Sequence, residues 1–193
     1  MQIICLGDSL TAGYLVRNRA TWPALLGENI KRKINNQGIT GDTSSGALAR
    51  LPLLLQAKMA SHIVIMAGSN DLIQGVALNV VQANIFAMIH QTFAARCIPI
   101  IGIPTPVDTL TAPNYWGEEI DYSVLNADLF FYRQWILKTC TQLHCSYLDF
   151  YQEFCSTPAP NPHIQQEYYL DGLHLNEAGH KKMAESIDPT NFL

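Results

Sequence analysis

The chain has 193 residues, of which 48% are hydrophobic and 15% are charged, a composition typical of a compact globular protein and not of a disordered one. The net charge of -4 argues against a general binder of nucleic acids or anionic membranes, because such proteins carry a basic surface. The length favours a single domain over residues 1–193.

The N-terminus has no charged segment followed by an apolar stretch and a cleavage site, so we predict no secretory signal and a cytoplasmic location. A processed chain that begins with an added methionine would look the same. No apolar run approaches the length of a membrane span. The cysteines number five, an odd count without a Cys-x-x-Cys pair, which favours buried thiols over disulfides or a metal site. We expect no metal and no other cofactor, since nucleotide-binding glycine motifs are also absent from the sequence.

Apolar runs alternate with helical spacing along the chain. The runs predict strands at residues 2–6, 34–39, 62–67, 98–103 and 146–150. Helices are predicted from about residue 21, from residue 42 or 43, and over about 77–95, 122–143 and 176–187. Thr21 and Asn176 are expected N-caps, and Pro52 is expected to kink or end its helix.

Strands that alternate with helices imply parallel pairing through right-handed crossovers. The predicted strands are apolar throughout, as expected where helices cover both faces of a sheet. The sequence therefore predicts a three-layer α/β/α fold around a central parallel sheet of about five strands. The long segments 105–121 and 156–170 are expected to be functional loops.

Polar motifs follow three of these strands. They are Gly7-Asp8-Ser9-Leu10, Gly41-Asp42-Thr43-Ser44 and Gly68-Ser69-Asn70-Asp71. Ligands bind outside the carboxyl ends of parallel strands, so all three motifs should share one edge. Asp171 and His174 precede the last predicted helix, which can begin at that edge. Each motif alone is equally well explained as a turn or a helix cap, but their order and placement together favour a site.

A serine hydroxyl becomes a nucleophile when a positioned imidazole accepts its proton. Ser9, His174 and Asp171 could provide the nucleophile, its base and the carboxylate that orients the base. The Gly41 and Asn70 motifs could add donors for a developing oxyanion. Asp149, near another strand end, is a lesser rival for the carboxylate role.

Two further acids of these motifs receive other roles. We do not assign Asp8 to the triad, because adjacent side chains at a strand end point apart. Asp71 is expected to hold the Asn70 turn in place.

The four motifs, in this order, resemble those of the SGNH hydrolases, the GDSL-type lipolytic esterases. Segments 10–14, 22–26 and 41–52 are similar to the bacterial thioesterase/lysophospholipase/arylesterase branch of these enzymes. The resemblance implies a flavodoxin-like fold and a mechanism that needs no cofactor. It also implies Ser9 as nucleophile, His174 as base, Asp171 behind the base, and an oxyanion hole made by the N–H groups of Ser9 and Gly41 with the Asn70 amide. Many relatives have proline where this chain has Leu175.

We therefore predict a serine hydrolase that cleaves esters or thioesters of short or medium acyl chains through an acyl-enzyme. Leu72 and Ile73 after the Asn70 turn, with Tyr115 and Trp116 in the 105–121 loop, predict a partly apolar acyl site. Two alternatives stay open: a carbohydrate O-acetylesterase on the same triad, and a catalytically silent binding protein on this scaffold. The expected partner is a small ester or thioester, without nucleic acid or membrane insertion, and the oligomeric state stays open.

Overall fold

A computed structural model describes residues 2–56 and 60–192. In these residues the sheet has five strands: β1 (Gln2–Gly7), β2 (Ile34–Gly38), β3 (Ala60–Met66), β4 (Ile98–Ile103) and β5 (Ser146–Asp149). All neighbouring strands are parallel, and their spatial order is β2-β1-β3-β4-β5. This is the doubly wound order of flavodoxin-like folds. The predicted α/β fold with a central parallel sheet is confirmed.

Helices of two kinds connect the strands. The five predicted ones are α2 (Trp22–Ile30), α3 (Ser44–Gln56), α5 (Leu78–Ala94), α7 (Tyr122–Leu143) and α9 (Glu177–Ser186). Four short helices were not predicted: α1 (Ser9–Ala12), α4 (Ser69–Ile73), α6 (Pro113–Trp116) and α8 (Phe150–Glu153). Three of these short helices begin within three residues of the end of a strand, so they turn the chain sharply at the carboxyl edge of the sheet.

The core lies on both faces of the sheet. Alternate residues of β1 serve the two faces: Ile4 and Leu6 pack in a cluster with residues of α3, α5 and α7, whereas Ile3 and Cys5 pack with residues of α2 and α9. This double burial explains why the central strands are apolar throughout. The edge strand β2 departs from that expectation, because its sequence INNQG is largely polar and only half-buried. An edge strand has one neighbour and is covered less completely than a central one.

Two helix ends differ in detail from what the sequence predicts. Pro52 does not end α3, which continues to Gln56. The ring faces solvent, while the preceding Leu51 is fully buried and anchors the helix to the core. Thr21 occupies the predicted N-cap position of α2, but its side chain makes no cap bond. Its hydroxyl donates instead to the carbonyl oxygen of Asn18 at 2.9 Å.

A histidine near the C-terminus accepts a hydrogen bond at the start of α2 instead. The N–H of Trp22 donates to Nδ1 of the buried His180 in α9 at 3.2 Å. Asn176 caps α9 as predicted, since its side-chain oxygen accepts the N–H of Gly179 at 3.0 Å. Among the helices of residues 2–56 and 60–192, none has the length and apolar character needed to cross a membrane.

Candidate active site

The turn from β1 into α1 presents Ser9 at the carboxyl edge of the sheet. Ser9 is the first residue of α1, and the preceding Asp8 is its N-cap, with Oδ1 accepting the N–H of Leu10 at 3.0 Å. Because the capping bond closes the turn within two residues, the serine side chain leaves the backbone at the sheet edge, where parallel sheets bind ligands.

Residues from the two ends of the chain meet at this serine. Nε2 of His174 lies 2.9 Å from Oγ of Ser9, and Nδ1 of His174 lies 2.9 Å from Oδ2 of Asp171. The carboxylate next to Nδ1 favours the tautomer with the proton on Nδ1, which leaves Nε2 free to accept the serine proton. The three side chains are therefore arranged for proton transfer from Ser9.

Hydrogen bonds keep the Asp171 carboxyl ionised. Its Oδ1 accepts the backbone N–H groups of Leu173 at 3.0 Å and His174 at 2.7 Å. Burial alone raises the pKa of Asp171, but the bonds from the His174 ring and from these two N–H groups outweigh it, so the pKa lies below its usual value. At neutral pH the group is an anion that can stabilise an imidazolium.

Gly41 and Asn70 lie on the loops after the neighbouring strands β2 and β3. Gly41 has a φ of +79°, and a Cβ built on it would meet no atom within 4 Å. The glycine is therefore required by the left-handed backbone and not by crowding within the protein. Within residues 2–56 and 60–192, the N–H groups of Ser9 and Gly41 pair with no backbone carbonyl. Nδ2 of Asn70 donates to the carbonyl oxygen of Asp42 at 2.8 Å, which fixes the orientation of the amide.

A cavity of about 190 Å³ joins these groups. Ser9, His174, Gly41 and Asn70 all line it. Its apolar wall consists mainly of side chains from α4, the 105–121 loop and the 171–174 turn, namely Ile73, Val107, Trp116, Ile120 and Leu173.

The four residues expected to bind the acyl chain divide into two pairs. Ile73 and Trp116 line the cavity. Leu72 packs into the core with 8% exposure, and Tyr115 is 63% exposed, so neither reaches the cavity. Leu72 directly precedes Ile73 in α4, and Tyr115 directly precedes Trp116 in α6. Successive side chains of a helix point about 100° apart, so only one residue of each short helix faces the cavity.

Asp149, the rival carboxylate, lies elsewhere. It receives both Nε and an Nη of Arg133, at 2.8 to 3.0 Å, at the end of β5. Asp71 also differs from its expected role, because its carboxylate reaches beyond the Asn70 turn. It accepts the N–H of Ser44 at 2.7 Å and the Ser44 hydroxyl at 2.6 Å, and so joins the loops after β2 and β3.

Residues 5–182 match the model of the GDSL-like lipase/acylhydrolase family. The chain belongs to this family. The family resemblance therefore extends beyond the motifs over most of the sequence. It includes the region between residues 75 and 170, in which we found no motif.

Curated proteins similar to this family member are bacterial enzymes. A stretch of 101 residues is 35% identical to thioesterase 1/protease 1/lysophospholipase L1 of Escherichia coli (strain K12), covering 51% of this chain and 49% of that protein. A stretch of 125 residues is 34% identical to esterase TesA of Pseudomonas aeruginosa, covering 62% and 59%. The chain thus spans about half the length of the curated relatives that it matches.

Solved structures share the fold over nearly the whole chain. A member of the lipolytic protein G-D-S-L family from Veillonella parvula DSM 2008 superposes with a TM-score of 0.81 at 24% identity, covering 96% of this chain and 95% of that one. A lipase/acylhydrolase from Enterococcus faecalis gives 0.76 at 21% identity, with coverage of 96% and 93%. At these identities the likeness establishes the three-layer fold.

Two aromatic rings flank the imidazole in this GDSL-like chain, and sequence reasoning missed one of them. The ring of Tyr14 lies 4.4 Å from that of His174, and the ring of Trp116 lies 5.3 Å from it. Aromatic faces stabilise a nearby cation, so both rings suit an imidazolium intermediate. Tyr14 ends the 10–14 segment that carries part of the family resemblance, and it follows Gly13, whose left-handed backbone ends α1.

Proposed function

We propose that this chain is a serine acyl hydrolase that cleaves carboxylic esters or thioesters through an acyl-enzyme. The observation that carries the proposal is the contact chain from Ser9 Oγ through the His174 ring to the Asp171 carboxylate, beside an apolar cavity. Membership of the GDSL-like lipase/acylhydrolase family supports it.

The first half-reaction forms the acyl-enzyme. Ser9 Oγ attacks the acyl carbonyl carbon while its proton moves to Nε2 of His174. The carbonyl oxygen becomes an anion, which accepts hydrogen bonds from the Ser9 and Gly41 N–H groups and from the Asn70 amide. When this intermediate collapses, the bond to the alcohol or thiol breaks, and the imidazolium gives its proton to the leaving group.

The second half-reaction releases the acid. Water attacks the acyl carbonyl carbon and transfers a proton to His174, forming a second oxyanion in the same place. Collapse then breaks the bond to Ser9 Oγ, which recovers its proton from the imidazolium. Asp171 holds the imidazole in place and stabilises its charge throughout.

The cavity supports an acyl group of short or medium length. Its wall is formed by aliphatic side chains and the Trp116 ring, and burying such surface favours binding by about 0.8 kcal/mol per methylene group. A chain that outgrows the cavity gains less for each added carbon. The affinity should therefore rise and then level off within a series of acyl lengths.

The test compares p-nitrophenyl esters of increasing chain length, acyl-CoA thioesters and acetylated sugars on the purified full chain and on Ser9→Ala. We expect turnover of esters or thioesters that Ser9→Ala abolishes, together with fluorophosphonate labelling that requires Ser9. Turnover of acetylated sugars alone would replace the substrate class with carbohydrate O-acetyl groups. A folded protein that neither turns over a substrate nor reacts with the probe would be a silent binding protein. Cytoplasmic residence stays a prediction from the sequence.

A further inference from the structure

Arg50 lies outside the cavity and forms hydrogen bonds with residues that adjoin or orient the proposed oxyanion donors. Arg50 lies in α3, and its guanidinium donates to the carbonyl oxygens of Gln37 at 3.0 Å and Gly7 at 3.3 Å. The same guanidinium also donates to the Asp42 carboxylate through Nε, at 3.1 Å, and through an Nη. A single planar side chain thus ties together the ends of β1 and β2 and the loop that follows β2.

The Asp42 carboxylate is enclosed as well as paired. Its side chain is 12% exposed and that of Arg50 is 24% exposed. Its Oδ1 accepts the N–H of Thr43 at 3.0 Å, and a Cβ on Gly46 would collide with the carboxylate. The first turn of α3 therefore leaves room for this carboxylate and fixes its position against the arginine.

Two of the three residues that Arg50 contacts, Gly7 and Asp42, lie within two residues of a proposed oxyanion donor. Gly7 precedes Asp8 and Ser9, and Asp42 directly follows Gly41. The carbonyl oxygen of Asp42 accepts Nδ2 of Asn70 at 2.8 Å, so the same residue that Arg50 holds also orients the third donor. Displacement of Asp42 would move the Gly41 N–H and the Asn70 amide together.

We propose that Arg50 is a positioning residue that keeps the three oxyanion donors in register through Asp42 and Gly7. This inference rests on the proposed acyl-hydrolase function. Oxyanion donors act only when they are aimed at the place where the charge develops, and misplacement by about 1 Å can lower the rate roughly 10²-fold. Arginine suits the role because its fork serves several acceptors at once, whereas a lysine ammonium is a point charge on a flexible stem.

The chain offers a matched control for this proposal. Arg133 pairs with Asp149 at the end of β5, with side-chain exposures of 12% and 17% and three hydrogen bonds of 2.8 to 3.0 Å. Arg133 is more buried than Arg50 and Asp149 slightly less buried than Asp42, and in the described part of the chain neither Arg133 nor Asp149 lines the catalytic cavity. Loss of an arginine can therefore be compared at two largely buried carboxylates, of which one adjoins the proposed oxyanion donors.

The experiment measures kcat, KM and the thermal unfolding midpoint for Arg50→Met, Arg50→Lys, Arg133→Met, Asn70→Ala and the double variant Arg50→Met/Asn70→Ala, with a p-nitrophenyl ester. For Arg50→Met we expect kcat to fall about 10- to 100-fold with KM changed less than about threefold. Arg50→Lys should retain more activity than Arg50→Met. Arg133→Met should keep kcat within about twofold of the parent, even if its thermal unfolding midpoint falls as much as that of Arg50→Met. The double variant should fall by less than the product of the single effects, because Arg50 acts partly through Asn70.

The outcomes separate this inference from the function on which it rests. Unchanged kcat in Arg50→Met, or effects of Arg50→Met and Asn70→Ala that multiply fully, would overturn the positioning role while leaving a slow Asn70→Ala in support of the oxyanion hole. Full activity of Asn70→Ala would instead remove that residue from the proposed mechanism. If Arg50→Met does not fold, the comparison of Arg50→Lys with Arg133→Met decides by the same criteria.

Discussion

The segments around Asp8 and Asp171 each bring a buried carboxyl group to the same active site, with opposite consequences. Asp171 receives three hydrogen bonds, and its pKa lies below the usual value. Asp8 is 1% exposed and receives one, from Leu10, while its Oδ2 has no partner among the described residues. Burial, reinforced by the nearby Asp42 and Asp71, raises the pKa of Asp8 to about 7 although the Leu10 N–H and His174 oppose this.

The difference teaches that burial alone does not decide whether a carboxyl group is charged. Both carboxyl groups are buried, but Asp8 lies deeper and accepts one N–H, whereas Asp171 accepts two backbone N–H groups and contacts the imidazole. The deeper burial and the fewer donors together raise the pKa of Asp8, and the additional donors lower that of Asp171. The turn of residues 171–174 folds back so that two of its own amides reach Asp171. The turn into α1 offers Asp8 only the amide of Leu10, so this carboxyl serves as a helix cap and not as the partner of the imidazole.

The largest expected effect is on kcat and follows from removing the charge of Asp171. Asp171→Asn should lower kcat by roughly 10³- to 10⁴-fold, because the amide can favour the wrong imidazole tautomer and cannot stabilise the imidazolium. The measurement is kcat for a p-nitrophenyl ester, with far-UV circular dichroism to verify the fold. Asp149→Asn, which disturbs a carboxylate bound to Arg133, is the control and should keep its activity. A slow Asp149→Asn beside an active Asp171→Asn would mean that the triad carboxylate has been assigned to the wrong residue.

The next effect concerns Asp8 and the pH dependence of the free energy of unfolding. With a folded pKa of about 7 against an ordinary value of 3.8, the folded state binds more protons at Asp8 than the unfolded state between these values. The Asp8 contribution to the free energy of unfolding therefore falls as pH rises from about 4 to about 7 and stays low above that, by about 1.4 kcal/mol per unit of difference. Asp8→Asn removes this dependence. Its stability relative to the parent should rise over that interval by an amount on the order of a few kcal/mol.

Denaturant unfolding of the parent and of Asp8→Asn at several pH values tests this expectation. Subtracting the two curves cancels the other groups that titrate, such as the buried His180, whose pKa burial lowers to about 4. Parallel curves would show that the Asp8 carboxyl is no harder to ionise in the folded protein than in the unfolded one. Asp171→Asn should show the opposite sign, because the low pKa of Asp171 adds stability that is lost as pH falls below about 4.

The sequence predicted the sheet and the residues at its edge, but not the charge states at that edge. Strand ends are local signals, and parallel pairing brings residues such as Ser9 and Asn70 to one edge wherever the loops go. The number of amides that face Asp8 or Asp171 depends on the path of a few turn residues, which composition and periodicity do not encode. The exposed position of Pro52 was equally hidden, because it depends on which side of α3 faces the core.

The smallest expected effect is on kcat/KM and concerns two neighbouring aromatic residues of the 105–121 loop, of which only one lines the cavity. Trp116 lines the cavity and lies against His174, whereas the adjacent Tyr115 is 63% exposed and does neither. Trp116→Ala should lower kcat/KM for medium-chain esters by about tenfold, since a large part of an aromatic contact with substrate is lost. Tyr115→Ala removes an aromatic ring from the same short helix and should leave kcat/KM within about twofold. Measuring kcat/KM against acyl length for both variants tests this prediction, because a role in binding the acyl group predicts that the loss in Trp116→Ala grows with the length of the acyl chain.

A loss that is equal for acetyl and longer esters would mean that Trp116 acts on the imidazole and not on the acyl group. Equal losses in the two variants would mean that the tryptophan acts only by holding the loop in place.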